Sequence, residues 1–87
     1  MTDESTTEAI REVLRAHAHL RADADTVSPE ADLFAEGMSS HASISVMLAL
    51  EERFDIEFPD SMLKRSVFES ISAIETAVTS IQEGVPS

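Results

Sequence analysis

Residues 36–60 read EGMSSHASISVMLALEERFDIEFPD, and the fold turns on how this stretch is read. A glycine, a short polar approach and then apolar residues at helical intervals predict a helix from about Ser40 to Phe54. Ser43, Met47, Leu50 and Phe54 recur at i, i+4, i+7 and i+11, flanked by Val46 and Ile44, and are expected to form its core face. His41, Ser45, Leu48 and Glu52 share a second, mostly polar face. An exposed leucine is common, but Leu48 lies among polar residues near a helix start, which makes it a candidate contact point. The helix hands over to an extended link ending in Phe58-Pro59-Asp60. Asp60 or Ser61 is expected to cap a short helix through Met62 and Leu63.

Upstream, periodicity disappears between Arg21 and Met38. Ser28-Pro29 signals a turn, with a short helical turn expected after the proline, and Gly37 closes the stretch. Val27, Leu33 and Phe34 are expected to pin it to the core. A connection of this length in a small domain points to function. Before it, Ile10, Val13, Leu14, His17 and Leu20 form the stripe of a helix from Thr6 or Thr7 to about His19, with His17 as a half-buried packing residue. Glu8 in the first turn and Arg15 toward the other end suit the helix dipole. Downstream, a last helix starts near Ser70 and faces the core with Ile71, Ile74, Val78 and Ile81. Ser72 and Glu75 fit a capping box that would move this start by two residues. The closing EGVPS is a stop signal and an expected frayed tail.

Nothing reads as a strand or a repeat. The expected fold is all-α: three main helices, one short helix and a long loop between the first two. It forms a single domain over 1–87 with its core at about 7–82. Eighty-seven residues leave room for one thin-cored domain and none for a catalytic domain beside it. Six Lys+Arg against seventeen Asp+Glu give a net charge of −11. That surface disfavours nucleic acid and anionic membranes and suits a basic patch on another protein. With no cysteine there is no disulfide, thiolate metal site or cysteine nucleophile. The N-terminus lacks signal-peptide character and no apolar run spans a membrane, so the expected location is the cytoplasm.

Three chemistries fail on the residues. A calcium loop starting at Asp23 would need Gly and Glu where Ser28 and Phe34 stand. His17 and His19 are two apart and His41 is distant, so zinc spacing is missing. Ser40 and His41 are adjacent, which does not set a base against a hydroxyl, and glycines for an oxyanion hole are absent. What remains is the serine at a loop-to-helix junction in Glu36-Gly37-Met38-Ser39-Ser40-His41-Ala42-Ser43. By itself it needs no explanation beyond capping.

In its ordered surroundings that junction resembles the acyl and peptidyl carrier protein family, whose signature is Gly-x-Asp-Ser-Leu. Asp32-Leu33-Phe34 precedes Gly37 and Ser40. The run from Leu50-Glu51-Glu52-Arg53-Phe54 through Phe58-Pro59-Asp60 and the start Ser70-Ile71-Ser72-Ala73-Ile74 follow in family order. The likeness covers roughly residues 7–82. It implies an acyl-carrier-like bundle without catalytic activity, with 4′-phosphopantetheine from coenzyme A attached to Ser40. A prosthetic arm would supply the thiol the chain lacks.

Ser39, His41 and Ser45 depart from the usual Asp, Leu and Glu, which thins the negative charge on the partner-facing surface. Gly37-Met38-Ser39-Ser40, Ala42-Ser43, Met47-Leu48 and Phe58-Pro59-Asp60 are more similar to a smaller group. These are freestanding bacterial carriers charged with an amino acid by ligases resembling seryl-tRNA synthetases. On this resemblance Met38, Ser39, His41, Ser45, Leu48, Glu51 and Glu52 are the expected partner contacts of a monomer. The implied partners are a phosphopantetheinyl transferase, an amino acid:carrier protein ligase or other loading enzyme with a basic docking patch, and a downstream acceptor. An acyl carrier of fatty-acid or polyketide type, and a helical interaction domain without a prosthetic group, are the alternatives.

Overall fold

In the computed structural model, residues 4–21 and 23–84 are described, which leaves the end of the EGVPS tail outside the described residues. Helix α1 spans Glu4–His17. It buries Ala9, Ile10, Val13 and Leu14, and Ala18, one turn after Leu14, completes the stripe at 0% exposure. His17 therefore lies off the buried line and is exposed, contrary to its expected packing role. The Ala18 amide donates to the Leu14 carbonyl at 2.9 Å. His19 then takes a left-handed φ of 55°, which ends the helix.

Helix α2 covers Ser40–Phe54, as the sequence implies, but its inner face is turned from the expected one. Ala42, Val46 and Leu50 are the buried residues, at i, i+4 and i+8. Ser43, Met47 and Phe54 are only partly buried, and Ile44 is 54% exposed. Asp55 closes α2 in a left-handed conformation, donating its amide to the Glu51 carbonyl.

The link after α2 is held by that same residue, since Glu51 Oε2 accepts the Phe58 amide at 2.9 Å. A 3-10 turn follows at Asp60–Met62, with Pro59 at its cap and no side-chain cap bond. Asp60 is thus the first residue of the turn and not its cap. The four-residue helix α3, Arg65–Phe68, has no counterpart in the sequence reading. Phe68 packs edge-on against Phe58, ring centroids 5.4 Å apart. Helix α4 runs Ile71–Glu83, with Ser70 Oγ accepting the Ala73 amide. Ser70 is therefore the cap. Ser72 instead donates its hydroxyl to Glu30 at 2.7 Å, while Glu75 accepts from Thr7, so the alternative capping box is not formed.

Helix α1 packs against α2 and α4, and α3 leans on α4. The long loop between α1 and α2 is tied down at several points. Arg11 donates to the carbonyls of Ala24 at 2.8 Å and Val27 at 3.0 Å. Leu33 donates its amide to the Glu69 carbonyl at 2.7 Å, and the Ser72 amide reaches the Pro29 carbonyl at 3.0 Å. Ala24, Val27, Leu33 and Met38 are buried. Phe34 is partly buried against the core. After Pro29 there is a hydrogen-bonded turn, Ala31 amide to Ser28 carbonyl, and not a helix.

Candidate functional site

The start of α2 is built by three consecutive devices. Asp32 Oδ1 accepts the Phe34 amide at 3.0 Å, which bends the loop. Gly37 then takes a φ of +116°, and a Cβ there would sit 3.3 Å from the Arg21 Cγ. The φ is strained for any L side chain and favours glycine, and a Cβ would also crowd the Arg21 stem. Met38, 3% exposed, plugs the core, and Ser39 caps the helix by accepting the Ala42 amide on its Oγ at 3.0 Å. Serine does here what an aspartate would do as a cap, so the departure at this position retains the local structure.

Ser40 is the first helical residue and is exposed. Its carbonyl accepts the Ser43 hydroxyl at 2.6 Å, but its own Oγ meets no partner among the described residues. The amides of Ser40 and His41 likewise find no acceptor among the described residues, and the first turn of α2 carries no acidic side chain. An unoccupied helix N-terminus of this kind favours a negatively charged group.

Two concavities flank this point. On the α3 side, a groove of about 460 Å³ is lined by Ser40, Ser43, Ile44 and Met47 of α2, with Lys64 and Arg65 opposite. On the α1 side, a shallower concavity of about 790 Å³ takes in Ser45, Leu48 and Glu52 beside Glu12, Ala16 and His17. Ile44 and Leu48, at 54% and 55% exposure, form an apolar ridge one turn apart between them. Ser40, Ile44 and Leu48 thus run along one line at i+4 spacing.

Among the expected contacts, Ser39, His41, Leu48 and Glu52 are exposed and Ser45 is partly so. Two others are placed elsewhere. Met38 is inside the core, because the chain must turn inward to seat the helix start. Glu51 is partly buried and committed to the Phe58 amide. Ile44 was missed as a surface residue because isoleucine in an apolar run reads as core. The six basic side chains include Lys64 and Arg65, whose nearness to Ser40 is a tertiary fact with no local signal.

Among the described residues no group of three or more His, Cys, Asp or Glu is arranged for a metal. No helix is long and apolar enough to cross a membrane. The small helical bundle thus displays the Ser40 hydroxyl, unengaged among the described residues, at the start of α2. The phosphopantetheine attachment site model matches residues 7–78. The chain belongs to that family, whose prosthetic group is 4′-phosphopantetheine.

Among curated proteins it is 52% identical over 75 residues to an aminoacyl carrier protein of Agrobacterium fabrum, covering 86% of this chain and 90% of the relative. Among solved structures it resembles a chain in the complex of an engineered Bradyrhizobium japonicum glycine:[carrier protein] ligase with carrier protein from Agrobacterium tumefaciens and ATP. The TM-score is 0.82 at 50% identity, covering 85% of this chain and 96% of that one. A more distant match is to the complex of the Bradyrhizobium japonicum ligase with glycylated carrier protein. There the TM-score is 0.71 at 27% identity, covering 84% and 97%.

Proposed function

We propose that the chain carries an amino acid as a thioester on a 4′-phosphopantetheine arm joined to Ser40, and receives that amino acid from a glycine:[carrier protein] ligase or a ligase of that kind. The observation that carries this reading is the exposed, unengaged Ser40 Oγ at the open N-terminus of α2. The relative named as an aminoacyl carrier protein and the match to a glycylated carrier protein support the cargo.

Each element of the site has a task. Ser39 fixes the helix start so that Ser40 is held outward, Met38 anchors it from inside, and Gly37 makes the turn between loop and helix. In modification, Ser40 Oγ displaces the adenosine 3′,5′-bisphosphate portion of coenzyme A at phosphorus and loses its proton. One new Ser–O–P bond replaces the broken P–O bond of the pyrophosphate. The attached arm supplies the thiol that esterifies the cargo, which a chain with no cysteine cannot provide. The phosphopantetheinyl transferase, the ligase and a downstream acceptor would use the surface around Ile44 and Leu48.

The groove on the α3 side favours a second reading, an acyl cargo, because Phe34, Ile44, Met47 and Phe68 give it apolar walls. One experiment separates the readings. The protein is incubated with coenzyme A and a phosphopantetheinyl transferase and followed by intact mass. The holo-protein is then offered to a glycine:[carrier protein] ligase with ATP and amino acids, and to an acyl-carrier synthetase with fatty acids. The expected result is arm attachment followed by aminoacylation. Fatty-acyl loading with no aminoacylation would establish the acyl carrier, and no arm at all would leave a helical interaction domain.

A further inference from the structure

The six cations of this acidic chain are deployed unevenly. Arg11 is engaged on the loop carbonyls of Ala24 and Val27. Arg15 pairs with Asp25, Arg53 pairs with Glu12, and the stem of Arg21 lies against Gly37. Lys64 and Arg65 differ in their position, since Arg21 is likewise exposed and without an ion pair among the described residues. They are adjacent and exposed, they form no ion pair among the described residues, and both line the groove that begins at Ser40. With seventeen acidic side chains against six basic ones, two unneutralised cations facing the same groove are a local reversal of the molecule's charge.

Arg65 is also held in place. Its guanidinium carbon lies 4.0 Å from the centroid of the Phe34 ring. Stacking of this kind orients a guanidinium without neutralising it and leaves its edge donors available. Phe34 belongs to the loop that delivers Ser40, so the contact ties α3 to the approach of α2 across the groove.

We propose that Lys64 and Arg65 form the seat of the arm's phosphodiester. The inference rests on the reading of Ser40 as the attachment point. A phosphodiester on Ser40 Oγ carries one negative charge. On one side it meets the open amides at the start of α2, where the first turn holds no acidic residue. On the other it meets two cations that form no ion pair among the described residues, and guanidinium donors suit phosphate oxygens. With the phosphate in place the groove still holds a surplus of positive charge. The ammonium of an aminoacyl cargo is therefore discouraged from folding back into it, and the loaded end of the arm is kept in solvent for the next enzyme.

The test uses full-length apo- and holo-protein, with attachment verified by intact mass for every variant. The readouts are the phosphorus NMR resonance of the arm and the Arg65 Nε–Hε cross-peak. In the wild type the cross-peak is expected to shift between apo and holo forms. The phosphorus resonance is expected to move toward that of the free phosphodiester when salt is raised to about 1 M, where charges are screened beyond about 3 Å. Lys64→Gln with Arg65→Gln should place it near the free position already at low salt, and Arg65→Lys, which keeps the charge, should retain the wild-type salt response. An attached arm whose phosphorus resonance and salt response are the same in the wild type and the double variant would overturn the seat alone. Failure of the arm to attach to the wild type would overturn the carrier reading and the seat with it.

Discussion

Helix α2 presents two lines of residues that differ by two positions in register and by everything in environment. Ala42, Val46 and Leu50 are at most 6% exposed. Ser40, Ile44 and Leu48 lie about 200° around the helix, with Ile44 and Leu48 more than half exposed. Both lines are mainly apolar, yet one is covered by α1 and the rest of the core while the other borders two open concavities. Apolar character on a helix thus says that a surface wants covering and leaves open whether the cover is the chain itself or another molecule. Here Ser40, the proposed attachment point, heads the outer line, and on that proposal the outer side is the one met by other molecules.

The sharpest separation of the two lines is at the helix start. Ser40→Ala should abolish transferase-catalysed attachment of the arm while leaving thermal unfolding essentially unchanged, because Ser40 Oγ holds no partner among the described residues. Ser39→Ala should retain attachment. Intact mass and unfolding curves read both effects. Labelling that survives Ser40→Ala and vanishes in Ser39→Ala would move the function one residue along and onto the cap.

The inner line is tested by truncation. Leu50, 0% exposed, should cost about 2–5 kcal/mol on replacement by alanine, the range for deleting a buried leucine side chain. Ile71, 1% exposed at the start of α4, belongs to the same range. Chemical denaturation gives the values. A loss at Leu50 of about 0.5 kcal/mol or less would mean that α2 is not packed by this face.

The boundaries of α2 and the cap of α4 were legible because each is written locally, in a serine followed by helical spacing. The inward face of α2 was not. Ala42, Ile44, Val46, Met47, Leu48, Ala49 and Leu50 place apolar residues nearly all around the helix, so periodicity alone does not choose a side. The expected face gave weight to Ser43, Met47 and Phe54 and passed over Ala42, which is small enough to let another element approach. Helix α3 has four residues, too few to display a period. The tethering of the long loop by Arg11, Glu69 and Ser72 depends on partners far along the chain. The proposal of Ser40 as the attachment point came from family order, whereas the cations across the groove became visible only once the chain was folded.

Caps give a smaller and more even effect. Ser39 and Ser70 each accept the amide three residues on at 3.0 Å, so alanine at either should cost about 1 kcal/mol. Equal losses in denaturation would show that the two starts are secured in the same way. A loss at Ser70 with none at Ser39 would show that Met38, anchored in the core, holds the start of α2 without help from its cap.

The smallest effect on folding is expected on the outer line, and it carries the largest consequence for partners. Ile44 and Leu48 are already in water, so Ile44→Ala and Leu48→Ala should each change stability by less than about 0.5 kcal/mol. If the ridge docks the loading enzyme, both side chains lose their hydration in the complex, and removing one should weaken binding by more than about 1 kcal/mol, or roughly fivefold. Ligase titrations with holo-protein measure this, and the two variants divide the surface. Ile44 borders the groove on the α3 side and Leu48 the concavity on the α1 side, so loss at both places the enzyme astride the ridge. Loss at Leu48 alone shifts it toward α1, over Ser45 and Glu52, and leaves the α3-side groove clear of the enzyme. Loss at neither would remove the apolar ridge from docking and leave the acidic surface to attract the partner unaided. Should Leu48→Ala prove as destabilising as Leu50→Ala, the division of α2 into an inner and an outer line would itself be wrong.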